Sequence, residues 1–117
     1  MGFLNRIPRN FKIPTATGVR GVFGGGHDGT YSNTMDYITI STLGNATDFG
    51  DLTVARRGAA GVSSSTRGVF GGGYDASGSY TNTMDYITIS TLGNATDFGD
   101  LTVARYGSAG VSNYDRS

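Results

Sequence analysis

A chain of 117 residues with 20 glycines, no cysteine and a formal net charge of zero has no disulfide framework and no thiolate metal site, so packing alone must hold it together. The charge is unevenly placed: Arg6, Arg9 and Lys12 give residues 1–19 a charge of +3, and the other 98 carry −3, from six arginines against nine aspartates. A body without a basic stripe argues against a nucleic-acid partner, and no run of about 20 apolar residues exists to insert into a membrane as a helix.

Residues 1–19 come first. Arg6, Pro8, Arg9 and Pro14 interrupt any continuous apolar core, which argues against a signal peptide and, through the prolines, against helix or central strand. Apolar residues mixed with cations read as an extended docking arm, with Phe3, Arg6, Arg9, Phe11 and Lys12 as its contacts to a larger assembly.

The rest is a repeat. Residues 33–56, NTMDYITISTLGNATDFGDLTVAR, recur unchanged as residues 82–105, an offset of 49. That length suits a four-stranded β-propeller blade better than a helical hairpin. In the second unit four strands are expected: a, Arg57–Ser63, small and glycine-rich; b, Arg67–Phe70; c, Met84–Thr91, apolar on both alternating faces and so packed on both sides; and d, Thr96–Val103.

Residues 20–56 supply strands b, c and d of a first blade, residues 57–105 all four of a second, and residues 106–117 a further strand a, because Arg105–Val111 follows the pattern of Arg56–Val62. The order bcd, abcd, a is expected to close a ring in which Tyr106–Tyr114 completes the first blade of a neighbouring subunit. Two blades would leave apolar faces and strand edges uncovered. The expectation is therefore an all-β homo-oligomer with two blades per chain, six blades as a trimer being favoured over other counts.

The residues now carry a family likeness. A small-residue strand, a Val-Phe-Gly-Gly strand end (Val69–Gly72), Tyr86, Phe98 and a closing Leu-Thr-x-Ala-Arg (Leu101–Arg105) resemble the kelch repeat, and the first unit matches at Val22–Gly25, Tyr37, Phe49 and Leu52–Arg56. Phe49 and Phe98 stand where kelch units commonly carry tryptophan. The phrase RGVFGGG followed by the 24-residue repeat is also similar to units of virion proteins of bacterial viruses from aquatic habitats. That resemblance implies a structural or adhesive virion component, made in the host cytoplasm, as capsid decoration or in a tail or fibre. Other virion proteins, reached through the arm, and a host-surface glycan are its implied partners. The alternative is a carbohydrate-binding lectin built from the same ring.

Chemistry-bearing motifs are sparse. Gly24–Gly26 and Gly71–Gly73 lack the lysine and hydroxyl residue of a phosphate-binding loop and read as strand ends. Asp-Phe-Gly at 48–50 and 97–99 lacks the rest of a kinase, and Asp48 with Asp51, like Asp97 with Asp100, is a thin oxygen set for calcium. Asn45 and Asn94 read as turn residues. His27 is the sole histidine and Tyr74 takes its place in the second unit, so no histidine-based centre repeats, and neither a catalytic function nor a cofactor is expected. Arg20, Arg56, Arg67, Arg105 and Arg116 are expected to pair with aspartates such as Asp36 and Asp85 between blades.

Differences between the units concentrate where His27–Ser32 corresponds to the longer Tyr74–Thr81, and at Arg57 against Tyr106. These connections belong on one end of a propeller. His27, Asp28, Thr30, Tyr31, Arg57, Tyr74, Asp75, Ser77, Tyr80 and Tyr106 are therefore the candidate recognition residues, tyrosine offering large contact area at low entropic cost.

Overall fold

The computed structural model describes residues 19–113, and the arm residues Phe3, Arg6, Arg9, Phe11 and Lys12, like Tyr114 and Arg116, lie outside them. Nine strands and no helix make up the described fold, so no helix among these residues could cross a membrane. The first unit is an antiparallel sheet of β1 (Arg20–Gly24), β2 (Thr34–Thr39) and β3 (Thr47–Asp51) in that order. A four-stranded antiparallel meander follows, in the order β5 (Ala60–Ser63), β6 (Arg67–Gly71), β8 (Thr83–Thr88) and β9 (Thr96–Asp100). The two sheets correspond to bcd and abcd.

Register follows the repeat. Val22 lies opposite Tyr37 as Val69 lies opposite Tyr86, and both sheets bulge at the same place, between Met35 and Asp36 and between Met84 and Asp85. Strand boundaries differ from expectation in three places. Strand a is two pieces, β4 (Arg56–Arg57) and β5, separated where Gly58 takes φ +73°. Strand c ends at Thr88 in a turn closed by Thr91 N–H donating to the Thr88 carbonyl, and strand d ends at Asp100. β4 instead pairs with β7 (Tyr74–Asp75), stitching the end of the first unit to a loop of the second.

The core lies between the sheets. Met35, Phe49 and Leu52 of the first pack against Ile87 of the second, with Val22, Tyr37, Phe70, Ile89 and Ala95 around them. Each fully buried side chain of this size contributes about 1.5–3 kcal/mol relative to exposure. The period of two explains why strand c had to be apolar on both faces. Met35 and Tyr37 point across the joint from the first sheet, whereas in the second Asp85, Ile87 and Ile89 point back across it. Identical sequences thus use opposite faces of one strand to build the two sides of one joint.

At its centre is an ion pair with both side chains fully buried: Arg56 Nη1 lies 3.2 Å from Asp85 Oδ2. Thr53 donates to the same carboxylate through its backbone N–H (3.0 Å) and its hydroxyl (2.7 Å), and Arg56 Nη2 donates to the Phe70 carbonyl at 3.3 Å. Further out, Gly93 and Ala95 N–H donate to the Phe49 and Asp51 carbonyls at 2.9 and 2.8 Å, and the Asn94 side chain accepts from Asp51 N–H at 3.0 Å. The loop between β8 and β9 therefore caps β3 of the first sheet, beyond the turn role read from sequence.

Arg20 and Arg67 depart from expectation. Their guanidinium carbons sit 4.4 Å from the ring centroids of Tyr37 and Tyr86, and Arg20 Nη1 donates to the Ile89 carbonyl at 2.8 Å. A planar cation satisfies a ring face and a carbonyl at once, which replaces the aspartate partner.

Gly50 marks the tightest approach. Its φ is +148°, and a Cβ there would fall on the Gly93 carbonyl, whereas one on its repeat partner Gly99 (φ +144°) would meet only the end of Met84. Both alanine variants carry backbone strain of about 1–3 kcal/mol. In urea unfolding of the single chain Gly50→Ala is expected to cost clearly more than Gly99→Ala; equal costs would show that Gly50 does not hold the joint.

Candidate functional site

The b–c loops and the d–a connections meet at one end of the two sheets. They do so because Gly25 and Gly26, and likewise Gly72 and Gly73, turn the chain with φ near +74° and +119°. The turn lets Gly26 and Gly73 N–H donate to the carbonyls of Arg56 and Arg105 at the ends of the d segments. Each loop is then pinched by a single bridge, His27 to Tyr31 and Tyr74 to Tyr80. These bridges make His27 and Tyr74 structural equivalents.

The result is a continuous aromatic cluster. Ring centroids lie 4.8 Å apart for His27 and Tyr31, 6.0 Å for Tyr31 and Tyr74, 5.6 Å for Tyr74 and Tyr80, 5.9 Å for Tyr74 and Tyr106, and 5.0 Å for Tyr80 and Tyr106. Arg57, held opposite Tyr74 by the β4–β7 pair, sets its guanidinium 5.7 Å from the Tyr31 ring and 5.5 Å from the Tyr74 ring. Six of the ten candidate residues thus converge. Tyr80 and Tyr106 remain about half exposed, at 55% and 50%.

The other four shape the loops. Asp28 accepts from the Thr30 hydroxyl at 3.2 Å, and Asp75 from the Ser77 hydroxyl at 2.6 Å and from Ser77 and Ser79 N–H. These bonds, the Ser77 hydroxyl foremost, hold the Asp75 carboxyl below its ordinary value. Its carboxylate is engaged in forming the turn. Both aspartates set loop shape more than they offer a free carboxylate.

Gly58 completes the cluster, and no motif in the sequence marks it. Its φ is +73°, a Cβ there would press on the Tyr106 ring, and its carbonyl accepts from Gly107 N–H at 2.9 Å. The signal for it is the alignment of Arg57-Gly58 with Tyr106-Gly107, which places a glycine after each divergent residue.

Chemically the site offers ring faces, phenol hydroxyls and one cation, a set suited to binding. Among the described residues no three histidine, cysteine, aspartate or glutamate side chains gather as a metal site. Comparison with protein-family models gives no match, and neither does comparison with curated protein sequences.

Proposed function

We propose that the chain is a non-enzymatic component of a bacterial virus particle, a capsid-decoration or tail-associated propeller subunit that serves attachment or stabilisation. The observation that carries the binding role is the gathering of His27, Tyr31, Arg57, Tyr74, Tyr80 and Tyr106 at one end of two otherwise matching blades. The virion setting rests on the resemblance of the repeat to virion units. In this reading a homo-oligomer, a trimer of six blades, closes the ring; strand a of each first blade comes from Tyr106–Tyr114 of a neighbour, and residues 1–19 dock the ring to an acidic virion protein.

A lectin is the second reading, favoured by one feature. Tyr80 and Tyr106 present half-exposed rings 5.0 Å apart, a platform on which a sugar ring can stack. One experiment separates the two. Purified protein should bind phage particles or their capsid protein, with binding weakened by salt and lost on removal of residues 1–14, while a glycan array stays blank. Glycan binding abolished by Tyr80→Ala with Tyr106→Ala would establish the lectin, and capsid binding that survives loss of the arm would refute the docking role.

A further inference from the structure

The joint between the two blades of one chain is a template for a joint between chains. Every group on the first blade's side of it has an identical copy on the uncovered side of the second: Met84 for Met35, Phe98 for Phe49, Leu101 for Leu52, Thr102 for Thr53 and Arg105 for Arg56. The opposite side is duplicated in the same way, with Asp36 for Asp85, Ile38 for Ile87, Ile40 for Ile89 and Asn45 for Asn94. Burial reports what is missing. Phe49 is 2% exposed and Phe98 47%; Ile87 is buried where its copy Ile38 is only half-buried, and Ile89 is half-buried where its copy Ile40 is 63% exposed.

The uncovered side is already arranged for its partner. Arg105 Nη1 donates to the Val103 carbonyl at 3.5 Å, as Arg56 Nη1 does to the Val54 carbonyl at 3.5 Å, so an arginine with no ion pair among the described residues holds the posture of the paired one. Arg67 lies over Tyr86 as Arg20 lies over Tyr37. The open edge of β1 points the same way. Between it and Gly61, Val62 and Val69 is a cavity of about 290 Å³, and Val111, 92% exposed, belongs to the one segment that repeats the β5 sequence.

The structure assigns to these two faces a second copy of this chain, joined head to tail. Arg105 of one copy pairs with Asp36 of the next, Thr102 donates to that same carboxylate, Phe98 and Leu101 close over Ile38, and Asn45 caps the N–H of Asp100. The β5–β6 register, in which Val62 lies opposite Val69, then puts Val111 opposite Val22 of the same next copy. Two separate elements, the sheet face and residues 106–112, thus select one neighbour with one polarity. The joint is heterologous and continues until a ring closes. This inference rests on the ring proposed above and adds its contacts.

Cysteine cross-linking tests it, since the chain has no cysteine of its own. Asp51→Cys with Asn94→Cys calibrates the geometry and should cross-link within one chain. Asn45→Cys with Asp100→Cys should give, on mild oxidation of the native oligomer, a ladder of covalent multimers ending at the ring size found by native mass, with each single variant staying at one chain mass. Cross-linking by a single variant, or an oligomer in which 51/94 links and 45/100 does not, would overturn the joint and leave the ring reading standing. A native mass of one chain would overturn both.

Discussion

Replacing Asp85 with alanine should lower the unfolding free energy by about 3–5 kcal/mol, because it strands a guanidinium with no exposed surface. Arg56 would keep the Phe70 and Val54 carbonyls but lose its counter-charge, and Thr53 would lose the acceptor for its N–H and hydroxyl. Arg56→Ala is expected to cost a similar amount for the converse reason, a buried carboxylate left with neutral donors. Asp36→Ala is an internal control with the same side chain in the same local sequence. Within the described residues Asp36 makes none of these contacts, so in the separated chain its loss should change urea stability by less than about 0.5 kcal/mol, the usual range for surface sites. A small effect of Asp85→Ala would mean that water or rearrangement satisfies Arg56 and that the pair is not the joint's centre. Arg56 Nε, which has no acceptor among the described residues, makes that outcome worth measuring directly.

Ending the chain after Arg105 should convert the proposed oligomer to single chains while the β5–β6–β8–β9 sheet stays folded. Residues 106–113 form no strand within one chain, yet they carry the residues that β5 uses against β6. The loss per joint is a ladder of backbone hydrogen bonds at about 0.5–1.5 kcal/mol each together with the burial of Val111. Native mass spectrometry and circular dichroism on the shortened chain read the two halves of the expectation. Persistence of the ring at unchanged stoichiometry would show that the first blade does not take its inner strand from a neighbour.

Much of this architecture is legible in the sequence for a simple reason. An exact repeat states the unit length, and the glycine, threonine and β-branched pattern inside it states the strands, so the meander order of the second sheet is legible before any coordinate. What the pattern could not give is the direction of each face. Strand c alternates Met-Asp-Tyr-Ile, and both of its faces read as core; only the packing shows Met35 of one copy and Ile87 of the other meeting across one joint. The arginines show a second limit. Opposite charge led Arg20 and Arg67 toward aspartates, while the cross-strand geometry set a tyrosine ring within 4.4 Å of each. The role of Asn94 was hidden because its partner, the N–H of Asp51, is 43 residues away and leaves no mark on the local sequence. The aromatic cluster was found by another route, from the few positions where two otherwise equal units disagree.

The equality of those units has a genetic consequence. If the joint inside a chain and the joint between chains are built from the same residues, the ring cannot tell where one polypeptide gives way to the next. Unequal recombination between the two copies would yield genes with one blade or with three, and each product would carry the same pair of mating faces. Six one-blade chains or two three-blade chains would then assemble into the same ring as three of the present ones. The number of blades would be a property of the joint angle, and the number of chains an accident of gene length. The divergent loops would be free to change between copies without touching closure, so the assembly would keep its frame while its recognition end is rewritten.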